Sequence, residues 1–251
     1  MRRLTQHVGL ATGVKIANSW LLTDKQGRRF LVDTGYFTDR PALRAHLWLA
    51  GVRGKGDLTA VLLTHRHSDH AANAAWLREK FDCPVACHAE DAPFLRLERR
   101  PKKMAVGKAP LYQDWLNLFE DAYPARTQVD ETYEDGRWKW GFRVVPAPGH
   151  TEGSVMLVHE PTRTLFSGDN ILAGVPPLRF IEHLSLAAPG FSQDTDLCNG
   201  HVLRFLRDLP RVDTLCSGHG PIVREKTGEK LKALLETCEC RWPHLAEPAG
   251  R

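Results

Sequence analysis

No run of about 18 consecutive apolar residues, the length a membrane-crossing helix needs, occurs anywhere in the 251 residues. A secretory leader is not expected either: Arg2 and Arg3 stand at the start, but His7 and Lys15 interrupt the stretch behind them. Cysteine is scarce for this length, six in all (Cys83, Cys87, Cys198, Cys216, Cys238 and Cys240). Cys83 and Cys87, or Cys238 and Cys240, lack a second pair at zinc-finger spacing. Reduced thiols in a cytoplasmic protein are therefore expected, rather than a disulfide framework or structural zinc. An excess of one charge is also missing. The formal net charge of +4 is too small to argue for nucleic acid. Internal repeats and low-complexity linkers are absent as well. What remains is 42% apolar and 25% charged residues, the balance of an ordinary globular protein long enough to bury a sizeable core.

The hydrophobic pattern alternates strands and helices. Val14 to Thr23 and Arg29 to Asp33 read as strands joined by a turn at Asp24-Lys25-Gln26-Gly27. Pro41 to Ala50 reads as a helix, Leu58 to Thr64 as a buried strand and Ser68 to Phe81 as one Ala-rich helix. Strand signals resume at Arg137 to Val145, Ser154 to His159, Arg163 to Ser167 and Thr214 to Ser217. Helices are expected over Gln193 to Asp208 and Glu225 to Cys240. This pattern implies one mixed α/β domain over 1–251 with a helical insertion at about 88–135.

Twelve histidines are more informative, because neutral imidazole is the commonest metal ligand. Thr64-His65-Arg66-His67-Ser68-Asp69-His70 follows the buried strand directly. Positions i and i+2 of extended chain project to one side, so His65 and His67 can share an ion. Asp69 and His70 open the next helix and can present another pair. Downstream come Pro148-Gly149-His150-Thr151, Ser167-Gly168-Asp169-Asn170 and Ser217-Gly218-His219-Gly220. In each a glycine beside the ligand candidate lets the backbone approach closely.

His-x-His-x-Asp-His, Gly-His-Thr, Gly-Asp and Gly-His, spread over 65–219, together resemble the metallo-β-lactamase superfamily, as does Asp33 in Leu31-Val32-Asp33-Thr34-Gly35. The resemblance implies an α/β fold, a four-layer αβ/βα sandwich with metals at one edge between the sheets. It also implies that His65, His67 and His150 hold one metal, that Asp69, His70 and His219 hold a second, and that Asp169 bridges them. Asp33 would orient ligands without binding metal. Two divalent ions are expected, zinc first, with iron or manganese compatible with the same donors. A metal-bound water with a pKa near ~7 would supply hydroxide, with Asp69 as the catalytic carboxylate that orients it or takes its proton.

Departures from the pattern bear on the substrate. Asp169 stands where common β-lactamases carry a cysteine or lack the aspartate, which argues against β-lactam hydrolysis. The motifs are closest to glyoxalase II and related thioesterases and lactonases. Yet Ser154 follows Gly153 where glyoxalase II-like chains carry histidine, and the residues after His219 are expected to be too few for a glutathione-binding helical domain. The leading expectation is a hydrolase of an ester, lactone or thioester, acting on a small-molecule acyl substrate without membrane or nucleic acid. The alternatives are an iron-dependent persulfide dioxygenase-like oxidoreductase and an RNA or nucleotide phosphodiesterase.

The insertion places Leu111, Trp115, Leu118, Phe119 and Ala122 on one helical face, read first as core-facing and otherwise as a lid or homodimer surface. The basic run Arg96, Arg99, Arg100, Lys102, Lys103 and Lys108 reads as a solvated face, and Trp138 and Trp140 as packing along a strand. Tyr36, Asn170 and His183 are candidate pocket contacts.

Overall fold

The computed structural model describes residues 2–10, 17–100, 118, 120, 122–174, 180–187 and 190–246. One sheet runs in chain order: β1 (Arg2–Arg3), β2 (Val8–Leu10), β3 (Trp20–Thr23), β4 (Arg29–Val32), β5 (Ala60–Leu62), β6 (Val85–His88) and β7 (Glu131–Tyr133). It is antiparallel as far as β4 and parallel from β4 to β7. The second sheet contains β8 (Gly136–Arg137), β9 (Phe142–Pro146), β10 (Val155–His159), β11 (Thr164–Gly168) and β14 (Thr214–Ser217), in the order β14-β11-β10-β9-β8. Only its β11–β14 pair is parallel. Between them in sequence, β12 (Ile171–Leu172) and β13 (Ser185–Leu186) pair by themselves.

Alternation along each strand builds the layers. Val61 and Leu63 point to one face of the first sheet, where they pack with Leu43, Leu47, Leu77 and Phe81 from helices α1 (Arg40–Leu49) and α3 (Ala74–Phe81). Ala60 and Leu62 point to the other face and meet Val155, Leu157 and Phe166 of the second sheet. On that sheet, Met156, Val158 and Leu165 turn outward onto Val202, Leu206 and Leu231 from α4 (Thr195–Arg207) and α5 (Thr227–Arg241). Because successive side chains face opposite ways, strands with apolar residues on both faces give three clusters. The result is helix, sheet, sheet, helix, the expected four-layer sandwich. Among the described residues no helix is long and apolar enough to cross a membrane.

Two expected elements differ. The single helix over Ser68–Phe81 is two, α2 (Ser68–Ala71) and α3. The His70 carbonyl accepts the Thr34 backbone N–H and hydroxyl at 2.6 and 2.8 Å, so it is not free to continue the helix. Asn73 then donates its amide to the carbonyls of Thr34, Gly35 and Tyr36. The expected strand Arg137–Val145 is interrupted by a turn at Lys139–Gly141, where Trp140 takes a φ of 58°. That turn packs Trp140 at a tilt against Phe30 and Trp138 edge-on against Tyr133, with ring centroids 5.2 Å apart in both cases, so both indoles pack as expected. Of the amphipathic face, Leu111, Trp115 and Phe119 lie outside the described residues, while Leu118 and Ala122 are exposed. Lys102, Lys103 and Lys108 lie outside them too. Arg96 is bound, donating to the Val129 carbonyl at 3.0 Å.

The buried Tyr133 hydroxyl donates to the Leu63 carbonyl, at the end of the strand that leads into Thr64–His70. Tyr133→Phe leaves that carbonyl buried without its partner, and the expected cost is about 1–3 kcal/mol. It should appear as a lower urea midpoint at unchanged slope. An unchanged midpoint would mean that the bond contributes nothing.

Candidate metal centre

The topology brings distant segments to one edge. Strands β4 and β5 are parallel, so Asp33 and His65, which follow them, leave the first sheet on the same side. In the second sheet β11 and β14 are parallel and lead into Asp169 and His219, while the antiparallel β9–β10 turn carries His150 at that same end. The two sheet edges are joined directly. The Val155 N–H donates to the Thr64 carbonyl at 2.9 Å, and Trp20 Nε1 donates to the Ser217 carbonyl at 3.0 Å.

All seven side chains singled out by the sequence meet there. His65, His67 and His150 present donor atoms within 4.8 Å of one another; so do Asp69, His70 and His219, and so do His65, His70 and Asp169. His65 Nε2 lies 3.2 Å from His150 Nε2. Asp169 stands between the groups: Oδ2 is 3.6 Å from His150 Nε2 and 3.2 Å from His219 Nε2, and Oδ1 is 3.3 Å from His70 Nε2. Asp69 Oδ2 is 3.7 Å from His70 Nε2 and 3.6 Å from His219 Nε2. Gly218 makes this crowding possible, because a Cβ there would fall on Asp169 Oδ1 and 2.7 Å from His70 Cε1.

The sequence model of the metallo-beta-lactamase superfamily matches residues 12–219. The chain belongs to this superfamily. A probable metallo-hydrolase, YybB of Bacillus subtilis, is 27% identical over 235 residues, covering 88% of this chain and 90% of the relative. A hydroxyacylglutathione hydrolase of Bdellovibrio bacteriovorus is 33% identical over 117 residues, but the match spans 47% of this chain and only 36% of that protein. Among solved structures, TTHA1623 in a di-iron-bound form aligns with a TM-score of 0.62 at 24% identity, over 90% of this chain and 96% of that one, a likeness of fold. Members of the superfamily bind divalent metals, and the curated relatives are named as hydrolases. This member is accordingly a metal-dependent hydrolase.

Its side chains suit a divalent ion by two physical measures. Burial, reinforced by neighbouring imidazoles, lowers the pKa of His65 and of His67 well below the usual histidine value. Burial also takes His150 down to about 4. All three are thus neutral, the form that ligates. In addition, His70 Nε2 and Asp169 Oδ1 are buried and make no hydrogen bond of acceptable geometry, although they face each other. Their contact is an ion pair at 3.3 Å without good hydrogen-bond alignment, and a cation placed between them would satisfy both atoms. Burial disfavours charge on His70 and His219, yet the adjacent carboxylates overcome it and raise both pKa values; Asp69 and Asp169 act on His70, and Asp169 most of all on His219. The same cations hold Asp169 well below the carboxylate range against its own burial.

The rings are aimed from behind. Asp33 Oδ2 accepts from His70 Nδ1 at 2.9 Å and from the Thr64 hydroxyl at 2.7 Å, while Oδ1 accepts the Thr64 backbone N–H at 2.8 Å. The Thr64 hydroxyl lies 3.1 Å from His65 Nδ1. His150 Nδ1 is likewise 3.1 Å from the Ser192 hydroxyl. With Nδ1 engaged, each ring presents Nε2 to the cluster. Asp33 holds a left-handed backbone at φ 57° to do this, a conformation that its side-chain bonds make tolerable.

Sequence reasoning missed Ser192, Asp91 and Glu120. Glu120 accepts the Ser68 backbone N–H at 3.1 Å and also the Ser68 hydroxyl, and burial raises its pKa to about 7. No spacing pattern links position 120 to position 68. Of the candidate pocket contacts, Asn170 is committed elsewhere: its carboxamide bonds Ser154, Val155 and Ser167 inside the fold. His183 is exposed on the β12–β13 connection. Tyr36 lies against Phe37 with centroids 4.3 Å apart, and burial, with the charges of Glu120, Tyr123 and Asp69, pushes its pKa up to about 12.

Asp33→Asn offers one acceptor oxygen where three donors now share two. The expected result is a fold that survives, with divalent-metal affinity lowered roughly 10–100-fold, measured by chelator competition. Unchanged affinity would reduce Asp33 to a turn residue.

Proposed function

We propose that this chain hydrolyses an ester, lactone or thioester of a small-molecule acyl compound, with zinc as the first-choice metal and two ions bound. His65, His67 and His150 would hold one ion, and Asp69, His70 and His219 the other. Asp169, whose two oxygens face both groups, would serve both. The observation that carries this reading is the completeness of the second group: Asp69, His70 and His219 converge beside the three-histidine group instead of being dispersed. Bound divalent ions supply Lewis acidity and make water acidic enough to act as a nucleophile near neutral pH.

The chain's own residues do the rest. Asp69 directs Oδ2 at the Nε2 atoms of both His70 and His219, so its carboxylate can orient a water at this edge and take its proton. Asp33 and Ser192 keep the imidazoles aimed, which limits reorganisation during the reaction. Tyr36, Phe37 and Tyr123 form an aromatic wall close to Asp69 and Glu120, with the Phe37 and Tyr123 centroids 6.2 Å apart. Such a wall suits an apolar acyl group better than a polyanion, a reading in keeping with the modest net charge of +4.

The decisive assay is turnover of a thioester and a lactone by zinc-loaded protein under nitrogen. Redox-inert zinc suffices for hydrolysis, so activity is expected without oxygen. Oxygen consumption with glutathione persulfide by the iron-loaded protein alone would overturn the reading in favour of a dioxygenase. Asp169→Ala should weaken both ions at once in elemental analysis, whereas a wild type that saturates with one ion would contradict the two-ion arrangement.

A further inference from the structure

We propose that Asp91 is a positioning residue for the three-histidine half of the centre, locking the loop of His65 and His67 to the loop of His150. This rests on the reading that those histidines hold an ion. Asp91 follows β6 and is completely buried. Its Oδ2 accepts the backbone N–H of Arg66 at 2.9 Å and the hydroxyl of Thr151 at 2.8 Å, and its Oδ1 accepts the backbone N–H of Gly153 at 2.8 Å. Arg66 lies between two of the histidines, and Thr151 directly follows the third. One carboxylate therefore spans segments about 85 positions apart in the chain, at the point where both deliver ligands.

Three further features point the same way. Asp91 occupies the N-cap of the short helix Ala92–Leu95, where an aspartate ordinarily caps backbone N–H groups, yet it makes no such bond. Its carboxylate is turned towards the ligand loops instead. Gly153 leaves no space between them, since a Cβ there would meet the Asp91 backbone nitrogen at 2.6 Å. Finally, the Arg66 side chain repeats the link one layer out. Its guanidinium reaches Glu152 Oε2 at 3.2 Å and lies 4.9 Å from the Phe94 ring centroid, and Gln193 donates to the same Glu152 oxygen at 3.1 Å.

The chemistry of the carboxylate is specific. Three donors from two loops converge on two acceptor oxygens. An asparagine keeps one acceptor and turns an N–H2 towards the remaining donors, so it can hold one loop but not both.

The test uses full-length protein in two backgrounds, His219→Ala, which leaves the three-histidine group whole, and His67→Ala, which leaves the other group whole. Cobalt(II) affinity is read by chelator competition and by the cobalt absorption spectrum. Asp91→Asn should lower affinity roughly 10–100-fold and alter the spectrum in the first background, and do neither in the second. Equal losses in both backgrounds, or none in either, would overturn the assignment. Should Asp91→Asn fail to fold, Thr151→Val removes one of the three bonds while keeping the residue's size. It should lower affinity about 2- to 10-fold in the first background alone, and no such difference would equally overturn the proposal. A wild type that takes up no ion would refute the metal reading itself, a result distinct from either of these.

Discussion

Bringing five imidazoles and two carboxylates together at the edge of an apolar sandwich is unfavourable unless every polar atom finds a partner, and much of the local structure answers that demand. Five histidine rings approach one another so closely that charge on all of them is excluded. Burial takes His65, His67 and His150 to the neutral form, while Asp69, Asp169 and Asp33 sustain charge on His70. The group thus divides into a neutral half and a half that carries the carboxylates. Even so, His70 Nε2 and Asp169 Oδ1 are left facing each other without a hydrogen bond. A divalent ion held there would resolve what the protein atoms alone do not, and metal affinity and folding would then be coupled.

The same demand explains which parts of the molecule could be read from the chain. The seven ligand candidates were legible because each lies in a short motif beside a turn, and no packing argument needs four metal-competent side chains in six residues. The layers were legible too: Ala60–Leu62 is apolar at every position and Val155–His159 at its first four, as burial on both faces requires. The break in the helix at Ala72–Asn73 was not legible. The Ala-rich pattern continues through it, and only the three-dimensional neighbour, the Thr34–Tyr36 loop, competes for the His70 carbonyl. Glu120 and Ser192 were hidden for a related reason. Each acts on a residue far away in the sequence, and local periodicity carries no such information.

Asp33 and Asp91 show how the demand is met away from the candidate ligands. The His65–His67 segment emerges from β5 with its side chains turned into the cluster, so its alternate backbone N–H groups, those of Thr64 and Arg66, need acceptors elsewhere. Asp33 takes the first and Asp91 the second. Each carboxylate then spends its remaining capacity on the next part of the centre: Asp33 on the His70 ring, and Asp91 on Thr151 and Gly153 beside His150. The two are not interchangeable. Asp33 touches an imidazole directly and fixes which nitrogen is presented, so its effect passes through the tautomer. Asp91 touches none of the seven candidate ligand side chains and acts through the neighbouring residues of their loops, so its effect passes through spacing. A centre held at both levels tolerates a strained φ at Asp33 and an uncapped helix at Ala92–Leu95, because both irregularities place an acceptor where a ligand loop requires one.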